Sequence, residues 1–258
     1  LIDDEKIAVL DTADRRKGEE WKTNLKTALN GRQPDYLVAH HMEPDHAALI
    51  AWMLETYPGL QLVCSAQAVK MLPNFFEGVN FEGRVMTVKE GDTLSLGRHE
   101  LKFIGAAMIH WPEVIMSYDS LDKVLFSADA FGKFGALVNE TDDWACEARR
   151  YYFNICGKYG TQVQTVMKKL AAVDVQTICP LHGPVLKGEQ LAAAIKLYDT
   201  WSKYEPESEG ILIAYASIHG GTAATAQRLG EILREKGAPK VVVSDLSRDD
   251  MAEVIEDA

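Results

Sequence analysis

Basic residues are in short supply: 27 Lys and Arg stand against 38 Asp and Glu, a formal net charge of -11 over 258 residues. A nucleic-acid surface needs clustered Lys and Arg to neutralise phosphates, so no nucleic-acid partner is expected. The same balance gives no long-range attraction for anionic substrates and leaves small neutral ones unaffected. Apolar runs are short. None reaches the roughly 18 residues of a membrane-crossing helix, and no charged-then-apolar opening resembles a signal peptide, so no membrane role is expected. Cysteine is scarce too: Cys64, Cys146, Cys156 and Cys179 include no C-x-x-C pair. That spacing excludes a zinc ribbon, a rubredoxin-type iron site and a dithiol redox motif within these residues. Scattered cysteines in an acidic chain fit a reducing cytoplasm, each expected to act as a small core hydrophobe.

What is present is enough apolar residue, 47%, to build a core without disulfides. Short β-branched runs read as strands at Lys6–Leu10, Tyr36–Ala39, Leu60–Cys64, Arg84–Val88, Glu100–Ala106, Val114–Tyr118, Lys123–Ser127, Val175–Cys179, Ile211–Tyr215 and Lys240–Ser244. Helical periodicity places Trp21, Leu25, Ala28 and Leu29 on one face, and Leu49, Ile50, Met53 and Leu54 on another. Further helices are expected over Thr161–Ala172, Glu189–Lys203, Thr222–Lys236 and Asp249–Ala258. Mixed strands and helices predict an α/β or α+β architecture. The stretch Tyr204–Gly210, YEPESEG, reads as a linker.

Four possible metal ligands crowd six residues in His41-Met42-Glu43-Pro44-Asp45-His46, directly after the strand Tyr36–Ala39. A single histidine is more often structural, but four donors in one post-strand loop can turn towards one point. Three more candidates follow strands in the same way: His110 in MIHWPE, Asp129 in FSADAFG and His182 in CPLHGP. Loops from matching strand ends gather along one edge of a sheet. Seven donors suffice for two metals sharing one bridging carboxylate.

The pattern resembles the metallo-β-lactamase superfamily, whose hallmark is H-x-H-x-D-H after a strand. Glu43 stands at the second histidine position, and H-x-E-x-D-H is similar to the motif of the flavodiiron proteins. That resemblance implies an αββα sandwich with one iron held by His41, Glu43 and His110, the other by Asp45, His46 and His182, and Asp129 bridging them. Glu43 adds a hard anionic donor that favours a redox iron pair over an imidazole-rich zinc hydrolase site. His40 fits none of these positions and is read as a supporting or structural residue.

A second motif follows the linker. Strand Ile211–Tyr215 runs into Ala216-Ser217-Ile218-His219-Gly220-Gly221-Thr222 and then a helix. Backbone amides of such a loop, hydroxyls from Ser217 and Thr222, and the positive helix end can hold a phosphate. Gly220 and Gly221 permit close approach. The segment Ser217, Ile218, His219, Gly220, Gly221, Thr222 resembles the flavodoxin loop that binds the FMN phosphate, with His219 facing solvent or touching the flavin ring. The expected domains are therefore 1–204, a metallo-β-lactamase-like diiron domain whose opening strands are missing, and 205–258, the start of a flavodoxin-like doubly wound parallel sheet. A start at Leu1 rather than Met fits a processed chain or a fragment.

By this resemblance the expected function is an FMN-linked diiron oxidoreductase of the cytoplasm that reduces O2 to water, NO to nitrous oxide, or both. It implies a rubredoxin-like external electron donor and a head-to-tail homodimer in which one subunit's flavin serves the other's irons. A zinc-dependent hydrolase and a diiron oxygen-binding sensor are the competing readings. Because only the phosphate loop of the flavin site falls within these residues, FMN should bind the 258-residue chain weakly or not at all. Fluorescence titration measures this, and tight binding would contradict the incomplete flavin domain.

Overall fold

The computed structural model describes residues 1–138 and 144–257. The expected Asp249–Ala258 helix ends at Ala258, outside the described residues. Two sheets dominate. The first contains β1 (Ile2–Asp3), β2 (Ile7–Leu10), β3 (Tyr36–Val38), β4 (Gln61–Ser65) and β5 (Val85–Val88), in that order. Its strands are parallel except for the β1–β2 pair. Helices α1 (Gly18–Leu29), α2 (Pro44–Ala47), α3 (Ile50–Thr56) and α4 (Ala66–Phe75) connect them.

The second sheet has the order β11-β10-β9-β8-β7-β6. Its strands are β6 (Thr93–Ser95), β7 (Glu100–Gly105), β8 (Ile115–Asp119), β9 (Val124–Phe126), β10 (Thr177–Cys179) and β11 (Leu186–Lys187). It is antiparallel except for β9 and β10, which run parallel. Helices α5 (Trp144–Ile155), α6 (Gly160–Leu170) and α7 (Gly188–Ser202) cover it. After residue 210, β12 (Ile211–Tyr215) and β13 (Val241–Asp245) pair in parallel, with α8 (Gly221–Glu235) between them and α9 (Met251–Asp257) following.

Side-chain alternation explains the layers. Successive residues of a strand point to opposite faces. In β2, Ile7 and Val9 join the helices of the first sheet, while Ala8 faces the other sheet. Leu37 and its neighbours Tyr36 and Val38 divide in the same way in β3. From the opposite side, Leu101, Phe103 and Ile115 enter the inter-sheet core, while Ile104 and Met116 turn towards α5–α7. Three apolar interfaces therefore make four layers: helices, sheet, sheet, helices. This is the αββα sandwich expected from the sequence.

The strands missed by sequence are β1, β6 and β11; β1 and β11 have two residues each, too short for periodicity to register. Helix α4 carries Pro73 inside it, a residue that normally argues against a helix. The cysteines do not all serve the core as expected. Cys64 and Cys156 are buried, Cys179 is half-buried and Cys146 is exposed. Among the described residues no helix is long and apolar enough to cross a membrane.

The helical layer over the second sheet rests on an aromatic cluster. Trp201 lies fully buried with its ring centroid 5.3 Å from Tyr152 and 5.6 Å from Tyr198, and its Nε1 donates to Glu207. Trp201→Ala should therefore lower unfolding free energy by about 3–5 kcal/mol, the usual cost of emptying so large a site. Urea denaturation measures it, and a loss well below this range would show that the cluster repacks.

Candidate metal centre

The candidate ligands sit on loops that both sheets send to one edge. From the first sheet, His41 follows β3, and Glu43 is the residue before α2. Pro44 takes the first helical position, suited to its fixed φ and missing N–H. Asp45 and His46 then lie in the first turn of α2. From the second sheet, His110 lies between β7 and β8, Asp129 follows β9 and His182 follows β10.

The seven side chains converge in two groups. Ligand atoms of His41, Glu43, His110 and Asp129 lie within 4.8 Å of one another, and so do those of Asp45, His46 and His182. His110 Nε2 is 3.1 Å from both Glu43 Oε2 and Asp129 Oδ2, and His41 Nε2 is 3.2 Å from Glu43 Oε2. In the other group, His46 Nε2 and His182 Nε2 stand 3.0 Å apart, each 3.3 Å from Asp45 Oδ2. Asp129 joins the two, with Oδ2 towards the first group and Oδ1 3.1 Å from His46 Nε2.

These contacts suit a cation better than hydrogen bonds. Among the described residues, Asp45 Oδ1 and Asp129 Oδ1 are buried without a hydrogen-bond partner. A buried carboxylate oxygen with no donor is costly, and a metal ion relieves it. Imidazole and carboxylate atoms pointing at shared centres are what two metal ions would need, so the donor set fits.

The loops are held from behind. Glu113 Oε1 accepts from the backbone N–H of Met42 at 2.9 Å and pairs with His41 Nδ1 at 2.7 Å. Such a bond fixes the tautomer and leaves Nε2 free for a metal. The Asp129 loop is tied by Ser127 Oγ to the Ala130 carbonyl, and by Phe131 N–H to the Tyr198 hydroxyl. The Leu181 N–H donates to the Ala128 carbonyl, joining the His182 loop to the Asp129 loop.

Sequence reasoning missed Glu113 and Tyr151. Glu113 stands three residues past His110 in the motif already noted, and a carboxylate beside a candidate ligand was the available signal. Tyr151 on α5 carries no motif. Its ring lies 5.8 Å from His182 and its buried hydroxyl has no hydrogen-bond partner. Burial pushes its pKa far above the usual phenol range. With Glu43, Asp45, His110, Trp111 and Phe134 it lines a cavity of about 620 Å³ over the candidate metal ligands.

The proposed phosphate loop is open to solvent, and Ile218, His219, Gly220, Gly221 and Thr222 are all exposed. Gly220 has φ +85°, a left-handed conformation suited to glycine. Its N–H donates to Ser217 Oγ at 3.0 Å, leaving the hydroxyl proton available to a ligand. No side chain caps α8, and nothing lies within 4 Å of a Cβ built on Gly220 or Gly221. The loop therefore has room and donors for a phosphate.

Charge is balanced inside the site. Burial alone would raise the Asp129 carboxyl, but the imidazoles of His110, His46 and His41 hold it well below the usual carboxylate range. Burial works to lower the His41 imidazolium, yet Glu113, Glu43 and Asp129 outweigh it and raise it from 6.5 to about 10. Asp45 raises His182 in the same direction.

A family profile described as "ODP family beta lactamase" matches residues 1–183. The rubredoxin-oxygen oxidoreductase of Megalodesulfovibrio gigas is 30% identical over 246 residues, 92% of this chain and 60% of its own length. The anaerobic nitric oxide reductase flavorubredoxin of Escherichia coli is 28% identical over 267 residues, 99% of this chain and 54% of its own length. The crystal structure of the flavodiiron protein from Giardia intestinalis superposes with TM-score 0.89 at 26% identity, covering 99% of this chain and 63% of that one. The chain thus spans about half the length of the curated relatives it matches.

His41 connects the site to pH. Its folded value lies above the ordinary one, so protonated His41 stabilises the metal-free fold fully below pH 6.5. That contribution is lost as pH rises towards about 10. A metal needs the Nε2 lone pair and must displace this proton, so its affinity rises through the same window. The gain in Tm on adding Zn(II) should therefore grow between pH 6.5 and about 10. Scanning calorimetry with and without metal tests this, and a flat or falling gain would contradict it.

Proposed function

The chain belongs to the ODP family of beta-lactamase-fold proteins, the flavodiiron proteins, and from that premise we propose that it carries the diiron site and FMN phosphate loop of an oxidoreductase reducing O2 to water, NO to nitrous oxide, or both. The observation that carries the reading is the Asp129 carboxylate, whose two oxygens face two separate donor groups. Three carboxylates and four imidazoles form a harder, more anionic set than an imidazole-rich zinc hydrolase uses. His41, Glu43 and His110 would hold one iron, Asp45, His46 and His182 the other, with Asp129 between them.

When bound, the irons supply redox chemistry towards a diatomic, and FMN supplies electrons in pairs. The chain's own residues shape and screen the site. Glu113 keeps the His41 proton on Nδ1, and the buried His41 closes the site from below. Glu43 and His182, with side chains 35% and 36% exposed, leave the upper side open. Neutral O2 or NO gains nothing from steering, so the -11 charge is no obstacle. Tyr151 contributes to the cavity wall, and its buried hydroxyl has no hydrogen-bond partner among the described residues.

The reading assigns residues 1–204 to the metal domain and 205–258 to part of a flavin domain, where Ser217–Thr222 would grip the FMN phosphate. It includes a rubredoxin-like donor, a head-to-tail homodimer and a cytoplasmic location. The open cavity beside half-exposed Phe134 supports approach of a flavin from outside it.

The test is stopped-flow mixing of the anaerobic, diferrous chain with O2 or NO. Rapid reoxidation of both irons is the expected result. Inertness to both gases would overturn the proposal. Reversible O2 binding without turnover would point to a sensor, and stoichiometric zinc with hydrolysis to a hydrolase.

A further inference from the structure

His40 is not among the candidate ligands, yet it is one of the most constrained side chains in the protein. Its Nδ1 lies 2.5 Å from Asp11 Oδ2, and its Nε2 lies 2.7 Å from Ser117 Oγ. Its backbone N–H donates to Asp11 Oδ1 at 2.8 Å, and its carbonyl accepts from the Ile115 N–H at 3.1 Å. Asp11, His40 and Ser117 are 3%, 1% and 0% exposed. The connectivity is that of a serine-histidine-aspartate triad, but Ser117 lies within strand β8, sealed from any substrate. The arrangement has to act on the protein itself.

The neighbouring residue extends it. Thr12 directs both its N–H and its hydroxyl to the His46 carbonyl, each at 2.7 Å, and its oxygen accepts from the Leu49 N–H at 3.3 Å. The dipeptide Asp11–Thr12, at the end of β2, therefore grips the ligand segment at both ends, at His40 and at His46. Asp11 reaches this position in a left-handed conformation, φ +54°, while its own N–H donates to the Val38 carbonyl at 2.8 Å. On the far side, Ser117 belongs to the second sheet. The His40 ring thus bridges the sheet that supplies His41, Glu43, Asp45 and His46 to the sheet whose loops supply His110, Asp129 and His182.

We propose that Asp11, His40 and Ser117, with Thr12, form a positioning clamp that sets the register between the two halves of the metal centre. Each metal group takes ligands from both sheets, so a shift between sheets moves both groups together. Buried hydrogen bonds fix that register more sharply than apolar packing, because slipping would strand polar atoms away from water. This inference rests on the two-metal reading above.

Ser117→Ala and His40→Asn each cut the side-chain link between sheets, and the asparagine retains a donor facing Asp11. With the 258-residue chain loaded with two irons, either variant should release iron to a chelator about tenfold faster, in line with the loss of a group that orients ligands. The mixed-valent EPR signal should shift in both. The double variant should be no worse than either single one, because both remove the same bond. If the variants lower the Tm of the metal-free protein but leave iron release and EPR unchanged, the clamp is merely structural and the proposal fails. Additive effects in the double variant would also overturn it. Wild-type protein that cannot hold two irons would instead overturn the metal reading on which the clamp depends.

Discussion

A carboxylate buried among imidazoles governs this structure. Asp129 is almost wholly inaccessible, yet it is held ionised because histidine nitrogens approach both of its oxygens. Burying an isolated carboxylate is prohibitive, so such a group persists only where cationic partners or metal ions surround it. Those partners come from both sheets, and the sandwich must hold them in register to keep the carboxylate satisfied. The second sheet supplies Asp129 itself on a loop whose Ala128 and Phe131 adopt left-handed backbone angles. Strained loop conformations of this kind persist only where their surroundings over-determine them. Here the ties are the Ser127 hydroxyl, the Tyr198 hydroxyl and the Ala128–Leu181 bond.

The metal loop was largely legible in the sequence because its information is local. His41, Glu43, Asp45 and His46 lie in one short segment after a recognisable strand, and side-chain chemistry alone marks them. His110, Asp129 and His182 could be read only by their repeated placement after strands. The supporting residues follow a different logic. Asp11, Thr12 and Ser117 are ordinary strand and strand-end residues in sequence. They gain their meaning from contacts 29 to 77 positions away. Periodicity carries no trace of such contacts. Glu113 was hidden for the same reason, although it lies in a motif already singled out. The fold was legible where a strand sits in a longer apolar or β-branched run, as in β2, β3, β4, β7 and β9. It was not legible where a pair of residues completes an edge, as in β1 and β11.

The site is asymmetric in exposure. His41 is fully buried, backed by Glu113 and flanked by the Trp111 ring at 5.1 Å. His182 is more than a third exposed and rests against the Tyr151 ring. In a low-dielectric pocket, electrostatic interactions strengthen on the buried side and weaken towards water. The His41 ring is therefore preorganised by the protein, and the His182 ring is more free to adjust.

This division of labour explains why so much polar structure is placed beneath the ligand loop. An open coordination face cannot be fixed by groups above it, because those groups would occupy the space that a substrate needs. Precision has to come from below, through atoms that never touch the substrate. Glu113 orients one imidazole, Thr12 holds the His46 carbonyl, and His40 ties one sheet to the other. Thr12 and His40 satisfy their own side-chain hydrogen bonds in the process, whereas Glu113 bonds through Oε1 alone and its Oε2 stays unpaired among the described residues. Among the described residues, Asp45 Oδ1, Asp129 Oδ1 and the Tyr151 hydroxyl stay unpaired at the candidate ligands or on a residue of the cavity wall, and Glu113 Oε2, Trp144 Nε1 and the Tyr152 hydroxyl stay unpaired elsewhere. Part of the unsatisfied bonding capacity, the two aspartate oxygens, thus lies where a metal ion would use it.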